Sequence, residues 1–193
     1  MPQRSPIIVL IIVLLSIAVF SGGIWTSYKI AAQDAGGGRF WIEWIAVRAR
    51  VVDGISPYSP TVASRIRNQV TDLFNWAPGP EPAFTSPVVA ALVTLPFTLI
   101  PDAQLARTAW LVIQLVVIIL TILASMRLSN WKPAWWFLII ILPLILLSLR
   151  TSAGWYEGSI NIWVTGLVAA VMLAIQGKRY ELAGVLLAFT MIQ

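Results

Sequence analysis

The residues able to do chemistry in this sequence lie in two polar stretches, residues 29–86 and residues 150–161. The chain has no histidine and no cysteine, so acid–base and binding roles fall to carboxylates, arginine, tyrosine and asparagine. The candidate site residues, in chain order, are Arg39, Glu43, Tyr58, Arg150, Tyr156, Glu157 and Asn161. A carboxylate beside an arginine at a lipid boundary suits group transfer on a phosphorylated lipid. The carboxylate takes a proton from an acceptor hydroxyl, and the arginine holds the phosphate through paired hydrogen bonds.

Each candidate also has a plainer structural interpretation. Glu43 can pair with a neighbouring arginine on a helix surface, where such pairs contribute only about 0–1 kcal/mol. Arg150, at the end of an apolar run, can extend to the lipid headgroups, and Glu157 can be an ordinary loop acid. Tyr58 lies between two prolines of a turn, where a tyrosine commonly packs. The chemistry therefore depends on the elements that bring the two polar stretches together.

The charged residues argue against two other kinds of site. The acidic residues are too widely spread to indicate a metal cluster, and a zinc site of Cys and His ligands is excluded by composition. The net charge is +5, from 13 Lys+Arg and 8 Asp+Glu, but the basic residues lie mostly at the ends of apolar runs. That placement is typical of membrane topology signals and lipid contacts. We therefore expect contact with membrane lipids, no metal and no nucleic acid.

The composition is that of a membrane protein. Hydrophobic residues make up 59% of the chain and charged residues 11%, whereas a soluble domain has roughly 25% charged residues. The mean hydropathy is +0.84. The apolar residues form long runs, which predict an all-α, polytopic transmembrane helix bundle, folded as a single membrane domain over residues 1–193.

Several apolar runs have the length, or the beginning, of a membrane-spanning helix. They are residues 6–28, 103–126, 134–149, 160–176 and 180–193. A cleaved signal peptide is the alternative for the first run. The last run reaches Gln193 without an end signal, which predicts that the sequence is truncated at its C-terminus. The run Val88–Ile100 contains Pro96 and is short of the roughly 20 residues of a span, so it is re-entrant, interfacial or a short kinked span.

Residues 29–86 form the first extracytoplasmic loop in this interpretation. Within it, Phe40–Val52 has the spacing of an amphipathic helix, with aromatic residues beside arginine, and this favours a position in the membrane interface. Ser59 is a predicted N-cap and Pro60 the first residue of a second short helix that runs to about Val70.

The basic residues predict the orientation of the helices. Arg4 precedes the first run, Arg127 and Lys132 lie in one short connection, and Lys178 and Arg179 lie in another. If residues 88–100 do not cross the membrane, all three groups are cytoplasmic and the two polar stretches share the outer face. If residues 88–100 do cross, both basic connections move outside. The first arrangement obeys the basic-residue asymmetry and is preferred.

A series of short motifs runs through most of the chain. They are Gly38-Arg39-Phe40-Trp41-Ile42-Glu43-Trp44, Gly54-Ile55-Ser56-Pro57-Tyr58, Phe84-Thr85-Ser86-Pro87, Leu95-Pro96-Phe97, Ala106-Arg107-Thr108-Ala109-Trp110, Gly158-Ser159-Ile160-Asn161 and Leu182-Ala183-Gly184. In this order they resemble the N-terminal half of the polyprenol-phosphate-dependent glycosyltransferases of the GT-C superfamily, in particular glycosyltransferase family 87.

The resemblance implies a mannosyltransferase-like hexosyltransferase of the cell envelope that inverts the sugar's configuration. Its donor is a polyprenyl-phosphate-linked sugar, its acceptor is a glycan or glycolipid, and its site faces the extracytoplasmic side of a multi-pass cell-membrane protein. It needs no cofactor, because the lipid-linked sugar is itself a substrate. In the family the expected base is an acidic residue at the position that Arg39 holds here, and Glu43, one helical turn further along, is assigned as its substitute. Glu157 is the second catalytic carboxylate in this assignment. The substrate-binding residues are Arg39, Tyr58, Arg150, Tyr156 and Asn161.

The sequence departs from the family pattern at three site-like positions. Arg39 stands where the family has an acidic residue, Ser86 where it has tyrosine, and Ser159 where it has glutamine. These departures keep open a diverged or inactive enzyme and, as a separate class, a non-catalytic membrane protein such as an assembly subunit or a lipid-binding scaffold. A transporter is less favoured, because the predicted spans carry ionisable residues only near their ends.

Overall fold

A computed structural model of the protein is all-helical, without strands, in the residues that it describes. Those residues are 21–32, 38–74, 84–86, 88–134, 137–138, 141, 144–145 and 154–190. The predicted all-α class is confirmed for them. The helices, in chain order, are α1 (residues 21–32), α2 (Gly38–Val52), α3 (Pro60–Phe74), α4 (Val88–Thr98), α5 (Ala103–Leu128), α6 (Asn161–Gln176) and α7 (Tyr180–Thr190).

Two helices begin at the residues that the sequence predicts. The Val62 backbone N–H donates to Ser59 Oγ at 3.3 Å, and Pro60 is the first residue of α3. The Leu105 backbone N–H donates to Asp102 Oδ1 at 2.8 Å at the start of α5. Each side chain supplies an acceptor to a backbone donor that has no partner inside the helix.

Helices α5 and α6 end in the same way. Asn130 and Lys178 adopt positive φ angles of 52° and 57°. The residues that follow them, Trp131 and Arg179, donate backbone N–H groups to carbonyls five positions back, at 2.9 and 2.8 Å. This left-handed ending satisfies the last carbonyls of a helix and turns the chain sharply, so both predicted basic connections begin at tight turns.

Helix α2 is the centre of the packed core. Of its 15 residues, eight are buried, among them Phe40, Trp41, Trp44 and Ile45. These residues lie around more than half of the helix, because α3 packs on one side and α4 on another. The predicted helix is therefore confirmed, but its burial is not limited to the single face of an amphipathic helix. Its position in a membrane interface stays a prediction.

Helix α4 is short, and the C-terminal end of α4 is hydrogen-bonded to α2. It has 11 residues and contains Pro96, which corresponds to a length of about 16 Å against a hydrocarbon thickness of about 30 Å. Arg48 Nη1 donates to the Thr98 carbonyl at 2.7 Å, and Trp44 Nε1 donates to the Phe97 carbonyl at 3.1 Å. The length of α4 and its attachment to α2 favour the predicted arrangement in which this segment does not cross.

Among the described residues, α5 is the one helix long and apolar enough to cross a membrane. It has 26 residues, and its most apolar window has a mean hydropathy of 2.5. Helices α6 and α7 are apolar but shorter. The predicted run at 6–28 is described only from residue 21, and the run at 134–149 is described at a few positions. The polytopic bundle and the single domain over residues 1–193 therefore stay predictions.

The molecule divides into two differently packed regions. We call residues 38–74, 84–86, 88–114 and 154–160 the head, and residues 115–128 and 161–190 the stem. The head contains the large hydrophobic cluster around Phe40 and Trp110. In the stem, α6 packs closely on α5 at Gly166, where an added Cβ would come within 2.6 Å of Val117 Cγ1. The candidate site residues with described positions lie in the head or, for Asn161, directly beside it.

Candidate functional site

The carboxylate of Glu43 is held by two hydroxyl groups inside the head. Glu43 lies on α2, next to the segment 84–86 and helix α4. Ser86 Oγ donates to its Oε1 at 2.9 Å, and Thr94 Oγ1 donates to its Oε2 at 3.1 Å. Each carboxylate oxygen thus has its own donor, which fixes the plane of the group.

Burial raises the pKa of Glu43 above its ordinary value of 4.5. The charged form loses hydration when the side chain is desolvated. The hydrogen bonds from Ser86 and Thr94, together with the positive charge of Arg39, lower the pKa but do not cancel the effect of burial. A carboxylate with a raised pKa is a better proton acceptor near neutral pH than an exposed one.

Tyr58 contacts the same segment from the other side. Its hydroxyl donates to the Ser86 carbonyl at 2.9 Å, and its ring lies 5.2 Å from the ring of Phe84, centroid to centroid. Half of the Tyr58 side chain remains exposed. Ser86 is therefore bonded through its hydroxyl to Glu43 and through its backbone to Tyr58, and so links two predicted site residues.

The arginines near Glu43 have different roles. Arg39 is exposed and lies one helical turn before Glu43 on α2, where its charge acts on the carboxylate. Arg50 donates to the Gly54 carbonyl at 3.3 Å at the end of α2. Arg48 is directed to the end of α4, with its guanidinium 5.2 Å from the Trp44 ring centroid. Of the three, Arg39 is thus the one that acts on Glu43.

The second set of candidates lies on a turn before α6. Tyr156 and Glu157 are exposed there, and the Tyr156 carbonyl accepts a long hydrogen bond from Arg107 Nη2 at 3.5 Å. Asn161 is the exposed first residue of α6, and its backbone N–H donates to Ser159 Oγ at 3.3 Å. Arg150 lies outside the described residues.

The head brings the two polar stretches into contact. Phe40, one turn before Glu43, lies against Gly158 of the second stretch: a Cβ added to Gly158 would come within 3.1 Å of the Phe40 Cβ. Trp110 joins them, since its ring lies 5.7 Å from that of Phe40 and its Nε1 donates to the Gly158 carbonyl at 3.1 Å. The two stretches therefore contact each other at Phe40 and Gly158. That their site residues form one site on the outer face stays a prediction.

Sequence reasoning missed several residues that build this site. In the sequence, Ser86 stands out only as a departure from a family tyrosine and Thr94 is part of an apolar run, yet both are donors to Glu43. On α5, Trp110 and Gln114 bond to the second stretch. The available signal was polarity: Thr94 and Gln114 are polar residues inside apolar segments, where each needs a hydrogen-bond partner.

Within the described part of the chain, no three acidic side chains gather as they would around a metal ion. The assignments of no metal and no cofactor stay predictions.

Comparison with known families places this chain among the glycosyltransferases. The model of glycosyltransferase family 87 matches residues 84–192. Because this match covers more than half of the 193 residues, the chain belongs to glycosyltransferase family 87. The predicted relationship is confirmed, and a glycosyltransferase activity follows from the family. No curated protein and no solved structure matches the chain.

Only some of the candidate site residues lie within the region that the family model matches. Its first residue is Phe84, so the matched region includes Ser86, Thr94 and the second polar stretch. Arg39, Glu43 and Tyr58 precede it. The hydrogen bonds from Ser86 and Thr94 to Glu43 therefore connect the matched region to helix α2, which carries the carboxylate and precedes that region. One span-length helix among the described residues, together with membership of this family, indicates that the chain is membrane-associated.

Proposed function

We propose that this glycosyltransferase moves a hexose from a polyprenyl-phosphate donor to a hydroxyl of a glycan or glycolipid on the extracytoplasmic side of the membrane. The observation that carries the proposal is the partly buried carboxylate of Glu43. It is held at both oxygens by hydroxyl donors and has a raised pKa. A carboxylate in this state, beside the positive charge of Arg39, is suited to general base catalysis.

The reaction follows from these groups. Glu43 takes the proton of the acceptor hydroxyl, and the hydroxyl oxygen attacks the anomeric carbon of the sugar. The bond between that carbon and the donor phosphate breaks, and polyprenyl phosphate leaves with the electron pair. Because attack and departure occur on opposite faces of the sugar, the configuration inverts.

The remaining candidates take binding roles in this proposal. Arg39 and Arg150 contact the phosphate, where a guanidinium offers paired hydrogen bonds. Tyr58, Tyr156 and Asn161 line the cleft for the sugar and acceptor. Glu157, exposed on the second stretch, is the second catalytic acid. The lipid-linked sugar supplies the activated bond, so no cofactor is needed.

The membrane arrangement is part of the proposal. Helix α5 crosses, α4 does not, and the two polar stretches lie at the outer surface of a multi-pass protein. The contact between Phe40 and Gly158 supports one side for both polar stretches. The basic residues Arg127 and Lys132 at the far end of α5 favour the cytoplasm for that end.

The base assignment is tested with Glu43→Gln, which keeps the size of the side chain and removes its ability to accept a proton. We expect transfer of a radiolabelled lipid-linked sugar in membranes to fall by about 10²–10⁴-fold. Glu181→Gln is the matched control, because Glu181 is exposed at the start of α7, away from the head. Unchanged transfer by Glu43→Gln would reject the base assignment, and absence of transfer in the parent would favour the non-catalytic scaffold.

The sidedness is tested separately. The chain has no cysteine, so single cysteines can be introduced as Asp53→Cys, Asn130→Cys and Glu157→Cys without a background signal. We expect a membrane-impermeant maleimide, added outside intact cells, to label positions 53 and 157 but not 130. Labelling of 53 and 157 from opposite sides would end the proposal.

A further inference from the structure

One face of α5 presents a row of hydrogen-bond donors to the second polar stretch. Trp110 Nε1 donates to the Gly158 carbonyl at 3.1 Å, and Gln114 Nε2 donates to the Ser159 carbonyl at 2.9 Å. Arg107 Nη2 lies 3.5 Å from the Tyr156 carbonyl. The three donors are spaced as neighbours on one helix face, and they meet three carbonyls within four residues of the turn.

A bond in the opposite direction completes the attachment. Trp155 Nε1 donates to the Leu111 carbonyl at 2.9 Å, so the turn both accepts from α5 and donates to it. Trp110, Leu111 and Gln114 expose 1% or less of their surface. Water therefore does not compete for these bonds, and each keeps its full directional preference.

Burying polar side chains on this face costs free energy, so filling space in the core does not explain why they are polar. Burying an amide or a guanidinium is unfavourable unless hydrogen bonds replace its hydration. Among the described residues, Gln114 Oε1 has no hydrogen-bond partner. An apolar side chain of the same size would fill the space without that cost. What Gln114 adds is a directed bond to a backbone carbonyl of the turn.

The turn itself accepts little variation. Gly158 has a φ of +69°, and a Cβ there would lie 3.1 Å from the Phe40 Cβ and 3.2 Å from Trp110 Nε1. The absence of a side chain lets the backbone approach α2 and α5 together. The exposed side chains of Tyr156 and Glu157 project from the same short turn, which is bonded to α5 at both ends.

We infer that Trp110 and Gln114, together with Arg107, are positioning residues that set the placement of Tyr156, Glu157 and Asn161 relative to α2. That these three residues bind substrate rests on the proposed function; the attachment of the turn to α5 does not. The polar face of α5 thus holds the short turn, and the three residues on it, in a defined position relative to the helix.

The test measures the geometry directly. Spin labels are attached at Val52→Cys, on the exposed end of α2, and at Glu157→Cys, in the otherwise cysteine-free chain. We expect a narrow distance distribution in the parent. Gln114→Met and Trp110→Phe, which keep volume or aromatic packing and remove the donors, should each broaden or displace it, and the double variant more so.

Thr121→Val is the matched control, because the Thr121 hydroxyl bonds to the Val117 carbonyl of its own helix. It should leave the distribution unchanged. If the double variant folds poorly, Gln114→Met alone decides. A distribution unaltered by Gln114→Met would overturn the inference, whatever the enzyme assay shows.

Kinetics provide the second readout. Per folded molecule, we expect Gln114→Met to lower kcat/KM by about 10- to 100-fold, the effect of displacing groups that contact the substrate by about 1 Å. A structural role alone would reduce the amount of folded protein and leave kcat/KM per folded molecule unchanged. If Glu43→Gln keeps full activity while the distance distribution still responds, the base assignment fails and the positioning role stands.

Discussion

The head and the stem differ in how far their large apolar side chains are exposed. In the head, Phe40 exposes 2% of its surface and Val62 none. In the stem, Leu187 and Phe189 of α7 expose 55% and 41%, although both belong to an apolar helix. The head thus packs a large apolar cluster against other protein segments, although Leu92, Leu99 and Leu105 on its outside are exposed. The stem buries only a few residues and leaves most of its large apolar side chains partly or largely exposed.

The proposed membrane arrangement accounts for this difference. Apolar side chains on an outer surface are stable where lipid replaces water, and contiguous ones are otherwise uncommon. Polar side chains within reach of one another are concentrated in the head, where Glu43, Ser86 and Thr94 meet. Helix α5 belongs to both regions: its first turns are buried in the head and its later turns carry exposed residues such as Leu120 and Leu123.

The largest expected effect comes from removing the same side chain in each region. Phe40→Ala should lower the free energy of unfolding by about 3–5 kcal/mol, because it opens a cavity in a packed core. Phe189→Ala should change it by no more than about 0.5 kcal/mol, as expected of an exposed position. Denaturant titration of the purified protein in micelles measures both. Equal losses would show that the two regions are packed alike.

The glycines allow a second, smaller test. Gly158→Ala should cost about 3 kcal/mol, since it combines a left-handed backbone with a crowded Cβ. Gly54→Ala is the control, because Gly54 has nearly the same φ, +70°, with nothing within 4 Å of an added Cβ. It should cost only about 1 kcal/mol. If the two variants lose the same stability, the contact with Phe40 is unimportant.

The pH dependence of transfer tests the environment of Glu43. Because the ionised carboxylate is the proposed base, activity should rise with pH through the raised pKa of Glu43. Ser86→Ala removes a donor that lowers this pKa, so the rising limb should move to higher pH. Ser64→Ala, whose hydroxyl bonds only locally to the Pro60 carbonyl, should leave the limb in place. A limb that moves to lower pH would contradict the assignment.

The same pKa has a consequence for stability. A carboxyl whose pKa is raised by folding favours the folded state below its unfolded pKa, and this contribution is lost as pH rises through the folded pKa. The melting temperature of the parent should therefore fall as pH rises from the unfolded to the folded pKa of Glu43. The share of this fall that is due to Glu43 should be absent from Glu43→Gln.

The smallest expected effect belongs to the surface of the head. Arg65 and Asp53 form an ion pair with both side chains partly exposed. Arg65→Ala should reduce the free energy of unfolding by about 0.5 kcal/mol or less, and by still less at high salt. A large, salt-independent loss would mean that this pair belongs to the packed core instead.

Local signals were sufficient to predict most of the helices. Asp102 and Ser59 fixed the starts of α5 and α3 because an N-cap needs only a side-chain acceptor and nearby backbone donors. The predicted α6 began at Ile160 and ended at Gln176, and the observed helix is Asn161–Gln176. The sequence predicts that α3 ends at about Val70, whereas the helix continues to Phe74. No glycine or proline lies between these residues to mark its end.

Contacts between distant segments could not be predicted in the same way. The donors to Glu43 lie 43 and 51 positions away in the sequence, and nothing in the local pattern of α2 specifies them. For the same reason the spacing of Phe40 and Trp44 suggested one apolar face, whereas α3 and α4 together bury most of the helix. The family pattern adds an expectation that periodicity does not give: that the segments near Glu43 and Asn161 belong to one site.

In the proposed membrane arrangement, helix α4 decides on which side of the membrane the rest of the chain lies. Each helix that crosses a bilayer exchanges the compartments of everything after it, while one that enters and returns leaves them as they were. With 11 residues, α4 is roughly nine short of a crossing. An insertion of that many apolar residues would invert the downstream half and separate Gly158 from Phe40 by the thickness of the membrane. In that arrangement, the two polar stretches stay on the same side of the membrane only while α4 remains too short to cross it.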